Sequence, residues 1–258
     1  MKIRIDKLLV DRGMAQSRER AQALVLAGRV LVNGQKVAKA GAGVEAECEI
    51  RLLGADMKYV SRGGLKLEAA LQHWNIDLAG RTCMDVGAST GGFTDCMLQH
   101  GAAEVVAVDT GYGQISLRLR SDPRVKLLEK TNARYLTPEM LREAGAKAPV
   151  SFMAIDVSFI SVTLILPAVL ASAFAEKSAG RRELVVLVKP QFEVGKDRVG
   201  KGGIVRDEDA RQDSVKKVRR AVEELGGRNI EVIDSPILGM EGNQEFLLHA
   251  DFSQESKK

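Results

Sequence analysis

Residues 84–96 read MDVGASTGGFTDC, and two chemistries fit that spacing. Gly87-Ala88-Ser89-Thr90-Gly91 is a G-x-S-x-G, the spacing of a hydrolase nucleophile elbow. The same stretch is an acid, Asp85, followed by a glycine-rich turn, Gly87 with Gly91-Gly92, whose backbone can approach a ligand closely. Other polar residues stand where apolar runs begin or end. Asp109 closes VVAVD, Asn132 lies in KTNARYL, Asp156 closes FMAID, Lys189 closes VVLVK, and Glu245 opens EFLLH. Lys66 lies just inside the helical segment SRGGLKLEAAL.

The elements that must position these groups alternate. From Tyr59 onward, apolar strands at 82–86, 104–108, 150–156 and 184–188 are separated by helical segments, which predicts a parallel sheet with helices on both faces. The apolar run from Val162 to Ala175 is shorter than a membrane span and reads as a buried crossover helix. A long helix over 207–225 stops at Gly226-Gly227, and two closing strands at 230–233 and 245–248 form an antiparallel pair.

A strand, glycine-rich turn and helix place bound groups at the carboxyl edge of such a sheet. The dinucleotide fingerprint G-x-G-x-x-G is absent. Asp109, 22 residues past Gly87, suits the two hydroxyls of a ribose. Asn132 suits an adenine edge, Asp85 can face an ammonium group, and Ser89 is a small turn residue able to hydrogen-bond the same ligand. Ribose, adenine and a cationic amino acid without a pyrophosphate describe S-adenosylmethionine. If the last strand runs antiparallel beside the fifth, Glu245 reaches the same edge as Asp156 and Lys189, and strands spaced about 4.8 Å apart bring the three into one cleft. Lys66 would close that cleft from above.

The hydrolase reading needs an acid and a histidine after Ser89, for which Asp156 or Asp234 with His249 are available. His249 lies inside a strand, however, and this reading leaves Asp109, Asn132 and the basic front unexplained. Gly195–Lys201 has phosphate-loop spacing, but Gly202 stands where the magnesium-binding Ser or Thr belongs. GKDRVGKGG therefore reads as a mobile basic loop offering Lys196, Arg198 and Lys201 to RNA phosphates.

Charge separates the front of the chain from the rest. Residues 1–39 carry nine Lys or Arg against three acids, whereas the whole 258-residue chain has a net charge of +4, so the remainder is slightly negative. A basic front on a near-neutral body points to a polyanion. Ile5, Leu8 and Leu9 mark a first helix, Ser17 caps a second that ends at Gly28, and Asn33-Gly34 is a hairpin turn between strands at 29–34 and 35–37, followed by a strand at 47–53. Gly54-Ala55-Asp56 reads as a linker, which gives domains at 1–58 and 59–258, and the tail SQESKK reads as frayed. The three cysteines show no metal spacing, no metal site is indicated, and the charged N-terminus is unlike a signal peptide, so a cytoplasmic protein is expected.

Arg4-Ile5-Asp6-Lys7-Leu8-Leu9, Ser17-Arg18, Ala21, Gly28 and Val30-Leu31-Val32-Asn33-Gly34 resemble the small α+β RNA-binding fold of ribosomal small-subunit protein four. Two adjacent helices there could present Arg4, Arg18, Arg20 and Lys36 to phosphates, with Lys7 and Arg29 beside them. Lys66, Asp156, Lys189 and Glu245 resemble the Lys-Asp-Lys-Glu tetrad of FtsJ-type ribose 2′-O-methyltransferases. With YVSRGGLKLEAAL, VDTGYGQ, TNAR, DVSFIS and VKPQFE, the chain resembles the TlyA family almost end to end. That resemblance implies a Rossmann-like S-adenosylmethionine-dependent methyltransferase with a mostly parallel seven-stranded sheet, acting on a cytidine ribose in ribosomal RNA.

In that setting Lys189 would assist the 2′-hydroxyl, as a neutral base or as a cation. Asp156 and Glu245 would hold Lys189, and Lys66 would steer the ribose. The family also carries a haemolysin label. A non-catalytic RNA-binding or ribosome assembly factor, a Ser89 hydrolase and a membrane-acting haemolysin are the alternatives, and the oligomeric state is not legible.

Overall fold

The computed structural model describes residues 2–15, 17–53, 58–174, 180–239 and 242–253. The predicted linker at 54–56, the end of the run at Ala175 and the tail from 254 lie outside the described residues. The chain divides into two compact units, residues 1–57 and 58–258.

The smaller unit runs β1 (Lys2–Arg4), α1 (Ile5–Asp11), α2 (Arg18–Leu26), β2 (Val30–Val32), β3 (Gln35–Lys36), β4 (Gly43–Glu45) and β5 (Ile50–Leu52). Ser17 caps α2 by accepting the Arg20 N–H at 3.2 Å, and Gly28 follows the helix at φ 66°. Asn33 (φ 48°) and Gly34 (φ 80°) both turn left-handed, which closes the β2–β3 hairpin. Ile5, Leu9, Ala21, Leu24, Val25 and Val30 form its core. The pairing of β1 with β4 is absent from the sequence reading, because strands of three residues carry too little alternation to be seen.

The larger unit runs α3 (Gly63–His73), β6 (Thr82–Val86), α4 (Gly92–Gln99), β7 (Glu104–Val108), α5 (Leu117–Arg120), β8 (Val125–Leu128), α6 (Pro138–Glu143), β9 (Phe152–Ile155), α7 (Leu166–Ala173), β10 (Glu183–Val188), α8 (Pro190–Glu193), α9 (Glu208–Glu224), β11 (Arg228–Asp234) and β12 (Phe246–Asp251). Its sheet has seven strands in the order β11-β12-β10-β9-β6-β7-β8. β12 runs against the other strands and pairs antiparallel with both β10 and β11. β6, β7, β9 and β10 are buried throughout, as befits a parallel sheet covered on both faces.

Two apolar clusters flank this sheet, one around Met84, Ile155 and Leu166 and the other around Leu67, Cys96 and Phe152. The run from Val162 divides into a short 3-10 turn and α7, because Pro167 lacks an N–H and belongs in a helix's first turn. All three cysteines are buried free thiols, and burial pushes Cys83 and Cys96 up to about 12.

Candidate active site

Gly87, directly after β6, has φ 90°, and a Cβ there would lie 2.3 Å from the Asp156 carbonyl oxygen. The position therefore requires glycine twice over, once for its dihedral and once for the approach of β9. Gly91 (φ 96°) opens α4, and a Cβ on Gly92 would meet Ser61 Oγ at 2.2 Å, so the segment leading into α3 packs down on the turn. Ser89 is exposed at φ 49° and donates its N–H to Asp109 Oδ2 at 2.7 Å. Asp109 Oδ1 accepts the Gly111 N–H at 2.7 Å. Two backbone donors thus fix the carboxylate and leave lone pairs for a ligand.

Thr131 N–H bonds the Asp109 carbonyl at 2.9 Å and brings the Asn132 loop alongside. Asn132 is exposed, and its Oδ1 caps the following turn through the Arg134 N–H at 3.1 Å. A narrow cleft lined by Ser89, Asp109, Gly111, Gln114, Ile115 and Glu129 runs between these loops.

Asp85 differs from the sequence reading. It lies beneath the turn, wholly buried, because β6 is a central strand with neighbours on both sides. Its Oδ2 accepts the Thr94 N–H (2.8 Å) and hydroxyl (2.6 Å), while Oδ1 has no partner. Burial raises its pKa to about 7; the Thr94 bonds oppose the rise, and the charges of Asp156 and Asp109 add to it.

The antiparallel β12 delivers Glu245 as the sequence reading required. Val188 and Phe246 are the last register pair of β10 and β12, so Lys189 and Glu245 flank it on one sheet edge. Asp156 follows Ile155 at the same edge, beside Gly87. The charges pair differently from expectation. Lys189 Nζ lies 2.5 Å from Asp156 Oδ1 and donates to Ser158 Oγ at 2.9 Å. Glu245 pairs with Lys66 instead of Lys189. Both groups of that second pair are almost buried, and one-to-one pairing gives each buried charge a counter-charge.

Sequence reasoning missed Ser158, Phe159 and Glu193. Phe159 is 92% exposed at φ 66°, its ring centroid 5.3 Å from that of Phe192. The available signal was a large aromatic three residues past a strand-ending aspartate, but exposure is not legible in a sequence.

The elbow reading fails on geometry. His249 sits opposite Val185, near the start of β10, where Nε2 lies 3.3 Å from Glu183 and the ring stacks on Trp74 at 5.1 Å. Ser89 stands at the other edge of the sheet, after β6, away from the histidine a nucleophile there would need.

Specific contacts hold the basic loop. Two 3-10 turns shape it, Arg198 pairs with Asp213 (2.8 Å) and Asp207 (3.2 Å), and Asn243 holds Val205 N–H and the Gly203 carbonyl. Lys196 and Lys201 remain exposed.

In the smaller unit, Arg4 and Arg18 converge on buried Asp6 at 2.8 and 3.2 Å, with Gln22 at 3.0 Å. The hydrogen bond from Arg4 leads in holding the Asp6 carboxyl well below the usual range. Lys7 is exposed on α1, Arg20 is half-buried on α2, and Lys36 is exposed on β3 in the separate three-stranded sheet. Arg29 donates to the Leu53 carbonyl at 2.9 Å, at the end of β5.

The 16S/23S rRNA (cytidine-2′-O)-methyltransferase TlyA of Mycobacterium tuberculosis is 45% identical over 246 residues, 95% of this chain and 88% of that protein. Hemolysin A of Brachyspira hyodysenteriae is 39% identical over 248 residues, 96% of this chain and 99% of that protein. A solved structure from Streptococcus thermophilus that carries a hemolysin name matches with a TM-score of 0.72 at 41% identity, covering 98% of this chain and 89% of that one. Among the described residues, no helix is long and apolar enough to cross a membrane. The S4 domain model matches residues 3–50 and the FtsJ-like methyltransferase model residues 59–252, and the chain belongs to the FtsJ-like methyltransferase family.

Proposed function

We propose that this protein methylates the ribose 2′-oxygen of a cytidine in ribosomal RNA, in the cytoplasm, with its S4 unit docking the RNA. The observation that carries this reading is the pair of lysine–carboxylate contacts, Lys189–Asp156 and Lys66–Glu245, at the sheet edge beside the glycine-rich turn. The printed activity of the TlyA relative supports the choice of RNA and nucleoside.

The residues present fit S-adenosylmethionine. Asp109 and Asp156 place negative charge beside the turn, and Asp85, whose pKa burial and these charges raise to about 7, keeps an unpartnered buried oxygen. Such a setting favours a cationic ligand. Asp109 would hold the ribose, the Asn132 loop would flank the adenine, and Gly87 and Ser89 would line the approach. When bound, the cofactor supplies an electrophilic methyl carbon.

The chain's own residues do the rest. Lys189, fixed by Asp156 and Ser158, stabilises the 2′-oxygen as its proton passes to solvent water. Lys66, held by Glu245, adds positive charge to the same edge and steers the ribose. Positioning supplies much of the rate in an in-line displacement, and ion pairs rooted on strand ends and on a helix are rigid mounts for it.

Tritiated S-adenosylmethionine incubated with the protein and bacterial ribosomal subunits lacking the modification tests the reading. Label in the RNA, mapped by digestion to a cytidine 2′-O-methyl group, is the expected result. Retained binding to the subunits with no label would overturn it in favour of a non-catalytic binder.

A further inference from the structure

The loop after β9 and the turn after β10 are joined at three places. At the first, Lys189 meets Asp156 and Ser158. At the second, the Phe159 ring lies against Phe192. At the third, Glu193, itself buried, accepts the Val162 N–H at 2.7 Å through Oε1 and the Ser161 hydroxyl at 2.5 Å through Oε2. Lys217, from the middle of α9, closes this third junction. Its Nζ lies 3.1 Å from Glu193 Oε2 and donates to the Glu193 carbonyl at 2.8 Å and to Ser161 Oγ at 3.2 Å.

Between the first and third junctions the chain carries Phe159 in a left-handed conformation, 92% exposed. A bulky residue at such a φ is strained and persists only where its surroundings impose it. Core packing does not impose it here, since the ring is almost wholly in solvent. The bonds at the two ends of the loop do. An exposed aromatic face beside a candidate catalytic lysine is what an unstacked RNA base rests on.

We infer that Glu193 and Lys217 are positioning residues for the RNA substrate: together they lock the 156–162 loop onto the end of α8, so that Phe159 and Lys189 are presented as one rigid surface. This rests on the methyltransferase reading. Neither residue needs to touch RNA or cofactor for the effect. Glu193 lies in the same segment as Lys189, so any drift of the loop relative to α8 shifts the stacking face relative to the lysine.

The test is steady-state methylation at saturating S-adenosylmethionine, with unmodified ribosomal subunits varied, for wild type, Lys217→Met, Lys217→Arg and Glu193→Gln. Lys217 is partly exposed, so Lys217→Met removes the clamp without opening the core. Lys217→Met and Glu193→Gln should lower kcat/KM for the RNA roughly 10- to 100-fold, and Lys217→Arg should recover to within about threefold of wild type. Cofactor affinity by calorimetry should be unchanged in all of them, which a merely destabilised fold would not give. A wild type that labels RNA, with Lys217→Met and Glu193→Gln equally active, overturns the clamp alone. So does a Lys217→Met protein whose cofactor affinity falls in step with its turnover. A wild type that labels no RNA overturns the methyltransferase reading and the clamp with it.

Discussion

Lys66 and Glu245, 179 residues apart in the chain, meet in an ion pair whose side chains are 10% and 3% exposed. The other pair, Lys189 with Asp156, is 11% and 22% exposed. The four candidate residues are therefore two units of different character. One ties α3 to the end of the sheet and is almost sealed. The other is less sealed, its carboxylate 22% exposed, and keeps a serine, Ser158, on its lysine. A substrate hydroxyl can reach the second more readily than the first.

Breaking the sealed pair should show in stability before it shows in chemistry. Lys66→Met leaves a buried carboxylate without a counter-charge, a change that typically costs about 3–5 kcal/mol. Adding Glu245→Leu removes the orphaned charge and should return much of that loss, while methylation stays impaired. Denaturant titration of both variants checks this; a single variant as stable as the double would show that the pair is not an electrostatic unit.

Lys189→Ala should act the other way round. Only Asp156 and Ser158 lose a partner, Ser158 is exposed and the Asp156 side chain is 22% exposed, so the fold and the cofactor site should persist. Turnover should fall below detection while cofactor affinity by calorimetry stays within about twofold, the pattern of a group needed in the transition state alone. Normal turnover would remove Lys189 from the chemistry.

Much of this site was legible because charges interrupting apolar strand ends are rare and informative. Asp109, Asp156 and Lys189 were placed by that signal, and Glu245 by adding the antiparallel turn of the last strand. Which lysine takes which carboxylate was not legible. Pairing depends on where α3 lies over the sheet, and helical periodicity gives a helix's buried face without its position. Asp85 shows a second limit: its place in a sequence motif put it next to the turn but did not reveal its burial, because a central strand buries side chains on both of its faces. Arg198 shows a third, since a Gly-rich basic segment reads as open until two acids on α9, Asp207 at its cap and Asp213 two turns later, are seen to hold it.

Asp109→Ala should separate binding from chemistry in the opposite sense to Lys189→Ala. It removes the acceptor of the Ser89 and Gly111 N–H groups along with the proposed ribose contact. Cofactor affinity should fall by about 10- to 100-fold, since hydrogen bonds to a charged group are worth roughly 1.5–3 kcal/mol each. Unchanged affinity in calorimetry would take Asp109 out of the cofactor site.

The Asp85 carboxyl makes stability depend on pH in a defined window. Its native pKa is raised to about 7, so the native state holds a proton that the unfolded chain releases near 4. The contribution is fully present below about 4 and is lost as pH rises to about 7. Asp6 and Glu183 do not mask it. The Arg4 hydrogen bond leads in lowering Asp6, and for Glu183 the His249 and Arg81 contacts outweigh the cost of burial, so both act below the normal carboxylate range. Asp85→Asn should therefore flatten the melting temperature between pH 4.5 and 7, about the window in which Asp85 titrates. Its advantage over wild type should grow with pH and level off above about 7. Parallel melting curves across that range would show that Asp85 does not carry the effect.

In the S4 unit, placement and charge make opposite predictions. Arg4→Ala should weaken binding to ribosomal RNA and reduce the dependence of log affinity on log salt by about one, as expected for one lost phosphate contact. Asp6→Asn removes a negative charge, so electrostatics alone would strengthen binding. The buried Asp6 carboxylate, however, is the point on which the Arg4 and Arg18 side chains converge. Without it each guanidinium regains its freedom and must be ordered again when it meets a phosphate, an entropic cost of up to about 2 kcal/mol per side chain. RNA affinity of Asp6→Asn measured at several salt concentrations should therefore fall despite the gain in positive charge, and tighter binding would show that Arg4 and Arg18 contribute as charges alone and that their placement by Asp6 is immaterial.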